Sequence, residues 1–329
     1  MLTMQSRSNK ILVIRWGPIG EFVLSLSAMQ RIRQAHPKDR ITLLTTRQFE
    51  GLARGSPYFD EVDADGDAMG VGPTMALVGR IKRAKYARVY DLQNDARTKV
   101  LFRLLWPGRP AWSGVAQGAS LRHRNPQRDR MHILERQADQ LGAAGIWPDA
   151  PTRPGAAPPP DLSWILDKAP PARAGAGAST AKPYVVLVPG GSSKPENRWP
   201  IEQYAALANH FRAQGSDIVI VGGPDESGLA RAIQRTVSQA RDLTGRTDFA
   251  QIAILGARAS LAVGTASGPI QLIAAAGAPT IALFSGAADP RLTAPRGYVT
   301  ILQAKTLADL PVAQVAQAAA SLAHHPAPP

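Results

Sequence analysis

The chain has 329 residues, 44% of them apolar, no cysteine and a formal net charge of +13. That length suits two domains, each with its own core, and the apolar content excludes a disordered polymer. The missing thiols exclude disulfides, thiolate metal sites and cysteine nucleophiles, in keeping with a reducing, cytoplasmic setting.

A short polar tail, residues 1–10, leads directly into a strand over 11–15, so no secretory apolar region is expected. A turn over 16–20 precedes an apolar-periodic helix over about 21–35, and a second strand follows at 41–45. A short strand at 60–62, a helix at 75–84 and a strand at 88–92 continue a βαβ rhythm, which argues for a parallel sheet. Residues 106–127, rich in Gly, Pro, Arg and Ser, read as loop, and a helix resumes over about 131–142. From Arg80 to Arg136 there are fourteen Lys and Arg against Asp91, Asp95, Asp129 and Glu135, a net +10. Such a field suits an anionic partner: nucleic acid, an acidic lipid surface or a phosphorylated acceptor. The plain alternative is a solvated arginine-rich face. No nucleic-acid-binding module accompanies the charge, so nucleic acid is not the expected partner.

Residues 150–183 are crowded with Pro, Ala and Gly and read as linker. The expected division is an N-terminal domain over 1–165, a linker over 166–183, a second domain over 184–310, and a C-terminal helix and tail over 311–329. The second domain alternates cleanly: strands at 184–188, 217–221, 241–243, 260–263 and 279–284, with helices at 201–214, 225–237, 248–257 and 268–276 between them. Leu261 to Phe284 carries no charge and is long enough to span a bilayer, but Pro269, Gly277 and Pro279 break it into strand, helix and strand. Three strand-then-glycine turns stand out, VVLVPGGSSKPENRWP, IVIVGGPDE and LAVGTASGPIQL. Each puts backbone amides beyond the carboxyl end of a buried strand, where ligands bind in open α/β sheets. Glycine there lets the chain approach an anion, and a following helix offers unpaired N–H groups and a positive dipole end. The expected ligand carries phosphate. Gly190, Ser192, Ser193, Lys194, Arg198, Gly223, Ser267 and Gly268 are its candidate contacts.

In order and spacing, these segments resemble the heptosyltransferases of glycosyltransferase family 9. The opening ILVIRWGPIGEFVLSLSAMQRIRQAHP is similar to the family's strand, turn and long helix. PGGSSKPENRWP, VIVGGPDE, LTGRTDFAQIAILGARASLAVGTASGPIQLIAAAGAPTIALF and DPRLTAP follow in the family's order. The resemblance implies a GT-B α/β fold of two Rossmann-like, doubly wound parallel-sheet domains facing a cleft. It also implies metal-independent, cofactor-free inverting transfer of heptose from ADP-heptose to a lipopolysaccharide core acceptor. The partners are then a nucleotide sugar, an anionic glycolipid and, peripherally, the inner membrane surface. Glu21, beside Gly20, matches the family's aspartate base; the other reading is a carboxylate that stabilises a helix N-terminus. Glu226 matches an acid that accepts ribose hydroxyls; again, the alternative is a helix N-terminal charge. The C-terminal helix is expected to pack back across the first domain. Thr265, Pro269 and Gln271 complete the expected substrate set.

Three positions depart from the pattern. Where the family commonly has N-D-S-G-P-x-H, this chain has Thr265, Ala266, Ser267, Gly268, Pro269, Ile270 and Gln271, so a carboxylate and an imidazole are replaced. Asn197 stands where many members have lysine. Phosphate binding by backbone amides survives these changes more readily than recognition of heptose hydroxyls. Two further readings therefore stand beside heptosyl transfer: a decayed nucleotide-binding or membrane-surface protein on the same scaffold, and a glycosyltransferase using another nucleotide sugar. Trp16 reads as a ligand-stacking or packing residue and Trp199 as a packing anchor. The six histidines show no metal-ligand spacing.

Overall fold

A computed structural model describes residues 8–67, 69–169, 182–191, 194 and 197–323. The chain divides into two compact units, Met1–Pro18 with Ser25–Ala157, and Ile19–Leu24 with Pro158–Pro329.

The first sheet holds β1 (Lys10–Ile14), β2 (Arg40–Leu44), β3 (Glu61–Asp63), β4 (Arg88–Asp91), β5 (Ala111–Gly114) and β6 (Leu121–Arg122). Their order is β3-β2-β1-β4-β5-β6 and every pairing is parallel. The helices are α1 (Ile19–Ala35), α2 (Glu50–Gly55), α3 (Val71–Ala84), α4 (Ala96–Leu104) and α5 (Ile133–Ala143). β1 reads KILVI and is buried after its first residue, the continuous apolar run of a strand covered on both faces. α4, which the charge-rich sequence did not reveal, is started by Asp95, whose side chain accepts from the Thr98 N–H at 2.8 Å. The segment 106–127, expected as loop, contains β5 and β6. Its short strands, with Trp112 fully buried, lie among Gly, Pro and Arg that mask their pattern.

The second unit begins with α6 (Ser163–Leu166) and alternates β7 (Tyr184–Val188), α7 (Ile201–Ala213), β8 (Asp217–Ile220), α8 (Ser227–Thr236), β9 (Arg241–Asp242), α9 (Phe249–Ala257), β10 (Leu261–Thr265), α10 (Gly268–Ala275), β11 (Thr280–Ser285), α11 (Pro290–Thr293), β12 (Val299–Ala304) and α12 (Val312–Ala323). The sheet order β12-β11-β10-β7-β8-β9 is the same doubly wound arrangement. Each sheet thus reverses direction once, between β1 and β4 and between β7 and β10, and the carboxyl ends of those strands frame the crevice where such sheets bind ligands. The uncharged run from Leu261 to Phe284 is the β10, α10 and β11 of this sheet, and no described helix is long and apolar enough to cross a membrane. β12 had no counterpart among the expected strands.

The C-terminal helix does not follow expectation. Val315, Ala319 and Leu322 of α12 belong to the core of the second unit with Trp199, Tyr204 and Leu207, and α12 packs on α7, β11 and β12. Those three apolar residues share one helical face, and the indole N–H of Trp199 donates to the Leu310 carbonyl at 2.9 Å, fixing the approach to that face.

Candidate active site

Turns after β7, β8 and β10 meet at the reversal of the second sheet. Gly191 has φ +96°, a conformation open to glycine, and a Cβ placed on it would lie 2.5 Å from Ser267 Cβ. The carboxylate of Glu226 fills a niche between two glycine turns: a Cβ on Gly190 would stand 1.7 Å from Oε1, and one on Gly222 2.2 Å from Oε2. Oε1 accepts the Gly191 N–H at 2.7 Å and Oε2 the Gly223 N–H at 2.9 Å. Glu226 is therefore a latch between the turns that follow β7 and β8. A carboxylate has about four lone-pair sites, so each oxygen keeps one direction for an external hydroxyl.

Beneath the turns, fully buried Tyr204 of α7 donates to the Val188 carbonyl at 3.1 Å and lies 3.4 Å from Thr265 Oγ1. Burial pushes its phenol pKa up, so it remains a neutral tie between the ends of β7 and β10. Ser267 caps α10 in extended conformation but makes no side-chain cap bond, and its Oγ is buried with no hydrogen-bond partner among the described residues. A hydroxyl left thus at the start of a helix, beside first-turn N–H groups without intrahelical partners, is suited to an anion. Gly268 and Pro269 open α10. Gln271, 4% exposed, sends its Nε2 to the Thr293 carbonyl at 2.6 Å. Arg198 is half-buried and Lys194 exposed. Ser192 and Ser193 lie outside the described residues. Asn197 accepts from the Ser285 hydroxyl at 3.1 Å. Trp199 stacks edge-on against Tyr204 at 4.8 Å, a packing anchor. Gly20 and Glu21, at the start of α1, fall in the stretch Ile19–Leu24 that is grouped with this unit, with Glu21 half-buried in the first helical turn.

In the first unit, the ends of β1 and β4 carry a polar network. Asp91 is fully buried. Its Oδ1 accepts the N–H groups of Gln93 (3.1 Å) and Asn94 (2.8 Å). Asn94, at φ +56°, accepts the Val115 N–H (2.8 Å) and donates to Gln140 Oε1 (2.8 Å). Gln93 Oε1 accepts the Trp16 N–H at 3.1 Å, so the turn before α1 hangs on the turn after β4. Trp16 itself is buried, donates to Asp95 Oδ2 at 2.8 Å and lies under the Arg97 guanidinium at 4.8 Å, a packing role. His123 bonds Asp139 Oδ2 at 2.7 Å, and burial lowers its pKa despite that carboxylate.

The model of glycosyltransferase family 9 (heptosyltransferase) matches residues 74–309. The chain belongs to glycosyltransferase family 9. This glycosyltransferase is 25% identical over 312 residues to lipopolysaccharide heptosyltransferase 2 of Escherichia coli K12, covering 88% of this chain and 86% of that protein. Its fold matches the structure of E. coli ADP-heptose lipopolysaccharide heptosyltransferase II with a TM-score of 0.77 at 21% identity, covering 95% of this chain and 98% of that one. It matches an E. coli heptosyltransferase solved with ADP with a TM-score of 0.74 at 19% identity, covering 95% of this chain and 99% of that one.

In this family 9 enzyme the network around Asp91 escaped the sequence reading. Its signal was the polar run Gln93-Asn94-Asp95 just after a buried strand, a composition that a turn also explains. The latch formed by Glu226 was equally hidden, because it depends on two glycine turns far apart in sequence. Glu226→Gln is expected to leave one of the two N–H groups facing an amide NH₂, destabilising the fold by about 1–2 kcal/mol in urea titration. ADP binding by calorimetry is expected to weaken about tenfold, the effect of one lost hydrogen-bond pair.

Proposed function

We propose that this enzyme transfers heptose from ADP-heptose to a lipopolysaccharide core acceptor with inversion at the anomeric carbon. The single observation that carries the donor half is the buried, unpartnered Oγ of Ser267 at the head of α10. Together with the backbone around Gly191 and Gly268, it suits a pyrophosphate, and the curated relative and the solved heptosyltransferases bear names of the same chemistry. Glu21 takes the proton of the acceptor hydroxyl as that oxygen forms its bond to the anomeric carbon. The bond from that carbon to the pyrophosphate breaks on the opposite face, and ADP leaves with the electron pair. Charge then grows on phosphate oxygens, where the α10 amides and Ser267 stabilise it, with Lys194, Arg198, Ser192 and Ser193 as further donors. Glu226 holds the ribose through its remaining lone pairs. The concentration of Lys and Arg between residues 80 and 136 suits a phosphorylated or carboxylated glycolipid presented at the cytoplasmic face of the inner membrane. We assign the acceptor to the N-terminal domain and the donor to the second.

A second reading keeps the pyrophosphate site but changes the sugar. Ala266 supplies no carboxylate and Gln271 is tied to the Thr293 carbonyl, so the positions that would grip heptose hydroxyls are altered. Thermal shift separates the readings. ADP is expected to stabilise the protein by about 2.7 kcal/mol at a hundredfold excess over Kd, UDP compounds not at all, and ADP-heptose more than ADP at equal concentration. Equal shifts from ADP and ADP-heptose would favour another sugar; no shift from any adenine nucleotide would overturn the donor assignment.

A further inference from the structure

Seven large apolar side chains are exposed among the described residues, and six of them, Met69, Val71, Met75, Val100, Leu104 and Trp106, fall between residues 69 and 106. Met69, Val71 and Trp106 are 82%, 84% and 68% exposed. They are not strays from a poorly formed core. α3 buries Leu77, Val78 and Ile81, α4 buries Leu101 and Phe102, and these inward faces join the core of the first unit. On α4 the exposed Val100 and Leu104, one turn apart, face away from its buried residues; on α3 the exposed Val71 and Met75, also one turn apart, occupy the amino-terminal end, ahead of the buried Leu77, Val78 and Ile81, and α3 and α4 pack together. Trp106 follows α4 directly and is braced there. Lys82 Nζ donates to its carbonyl at 3.3 Å, and the Arg109 guanidinium sits 5.2 Å from its ring and 4.3 Å from that of Phe102.

The charges on these helices have one sign. α3 carries Arg80, Lys82 and Arg83 and α4 carries Arg97, Lys99 and Arg103; neither contains Asp or Glu. Lys82, Arg83, Lys99 and Arg103 are exposed among the apolar residues. A second copy of the chain would bring the same cationic face against itself and be repelled. A bilayer with anionic headgroups complements both features: it receives tryptophan at its interface, takes apolar side chains into the acyl boundary, and pairs each cation with a phosphate while the lysine and arginine stems bury their methylenes.

We propose that the amino-terminal end of α3 together with the outward face of α4, ending in Trp106, docks the protein on an anionic lipid bilayer. This rests on the reading that the acceptor is a glycolipid, but it is tested without transfer. The full-length protein is sedimented with vesicles of phosphatidylcholine, with or without about one-third phosphatidylglycerol, in the absence of nucleotide sugar. Binding is expected only to the anionic vesicles and to weaken with salt. Lys99→Glu with Arg103→Glu is expected to reduce it at least about twentyfold, at roughly fivefold per cation, and Leu104→Ser with Trp106→Ser about tenfold. All four positions are exposed, so melting temperature and the thermal response to ADP should stay as in the parent. Failure of the parent to bind, or equal binding by both variants, overturns the proposal. So does a change of oligomeric state in the variants without vesicles, which would give the face to a second copy. Vesicle binding through this face by a protein that transfers no heptose sinks the proposed function and leaves the docking surface standing; transfer without vesicle binding does the reverse.

Discussion

Glu21→Gln is expected to lower kcat by about 10² to 10⁴, the range contributed by a positioned general base, while the Kd for ADP stays within about twofold of the parent. The substitution keeps the shape of the side chain and the polarity of the first turn of α1, but an amide cannot take the acceptor proton. The pyrophosphate contacts assigned to the head of α10 do not involve this carboxylate, so donor binding and turnover should separate. The turn that delivers Glu21 is held from below: Arg15 Nη1 donates to the Leu92 carbonyl at 3.3 Å and the Trp16 N–H to Gln93 at 3.1 Å. That restraint makes the longer arm of glutamate workable, because a fixed backbone leaves only the side chain to adapt. Glu21→Asp, which restores the residue that the family resemblance places there, should keep more activity than Glu21→Gln. Wild-type turnover in the glutamine variant would return Glu21 to a helix N-terminal charge.

The second unit was more legible than the first for a physical reason. Its strands, such as Tyr184–Val188 with every residue buried, are continuous apolar runs ending in glycine, and its helices begin at strong signals such as Asp248 and Gln251, whose side chains cap each other's backbone at 2.7 and 2.9 Å. In the first unit the same architecture is written in weaker marks. β5 and β6 are four and two residues long, and α4 reads ARTKVLFRL, with cations and apolar residues sharing its exposed side. A pattern search finds no clean amphipathic face there, and the reason is that the outward face is itself partly apolar. Among site residues, Gly190, Gly191, Ser267 and Gly268 were readable because local turn chemistry places them. The bond from Glu226 to Gly223 is local, three residues apart, but those from Glu226 to Gly191 and from Gln271 to Thr293 join positions distant in sequence, and no local pattern encodes them. The packing of α12 was misjudged for the same reason: its apolar face was visible, but the surface it covers is set by α7 and β12.

Asp91 should make the stability of the first unit fall as pH rises from about 4 to 7. Burial pushes its carboxyl up to about 6; the Asn94 N–H, the Thr98 hydroxyl and the Gln93 N–H act against that shift, and the charge of Asp95 adds to it. The Thr98 hydroxyl donates to the Asp95 carbonyl at 3.1 Å, and Asp91 Oδ2 makes no hydrogen bond among the described residues, so the ionised form is incompletely solvated. Between the unfolded value near 3.9 and the folded value near 6, the native state binds the extra proton, so unfolding releases it and stability decreases with rising pH. The contribution is fully present below about pH 4 and lost as pH passes 6, an amount of about 3 kcal/mol for a shift of roughly two units. Asp91→Asn removes the titration and keeps the acceptor for Gln93 and Asn94. In urea titrations at a series of pH values, the transition displaced by the substitution should show the parent's advantage over Asp91→Asn shrinking by about 3 kcal/mol from pH 4 to pH 7. A pH-independent difference would mean that Asp91 keeps an ordinary carboxylate affinity despite its burial.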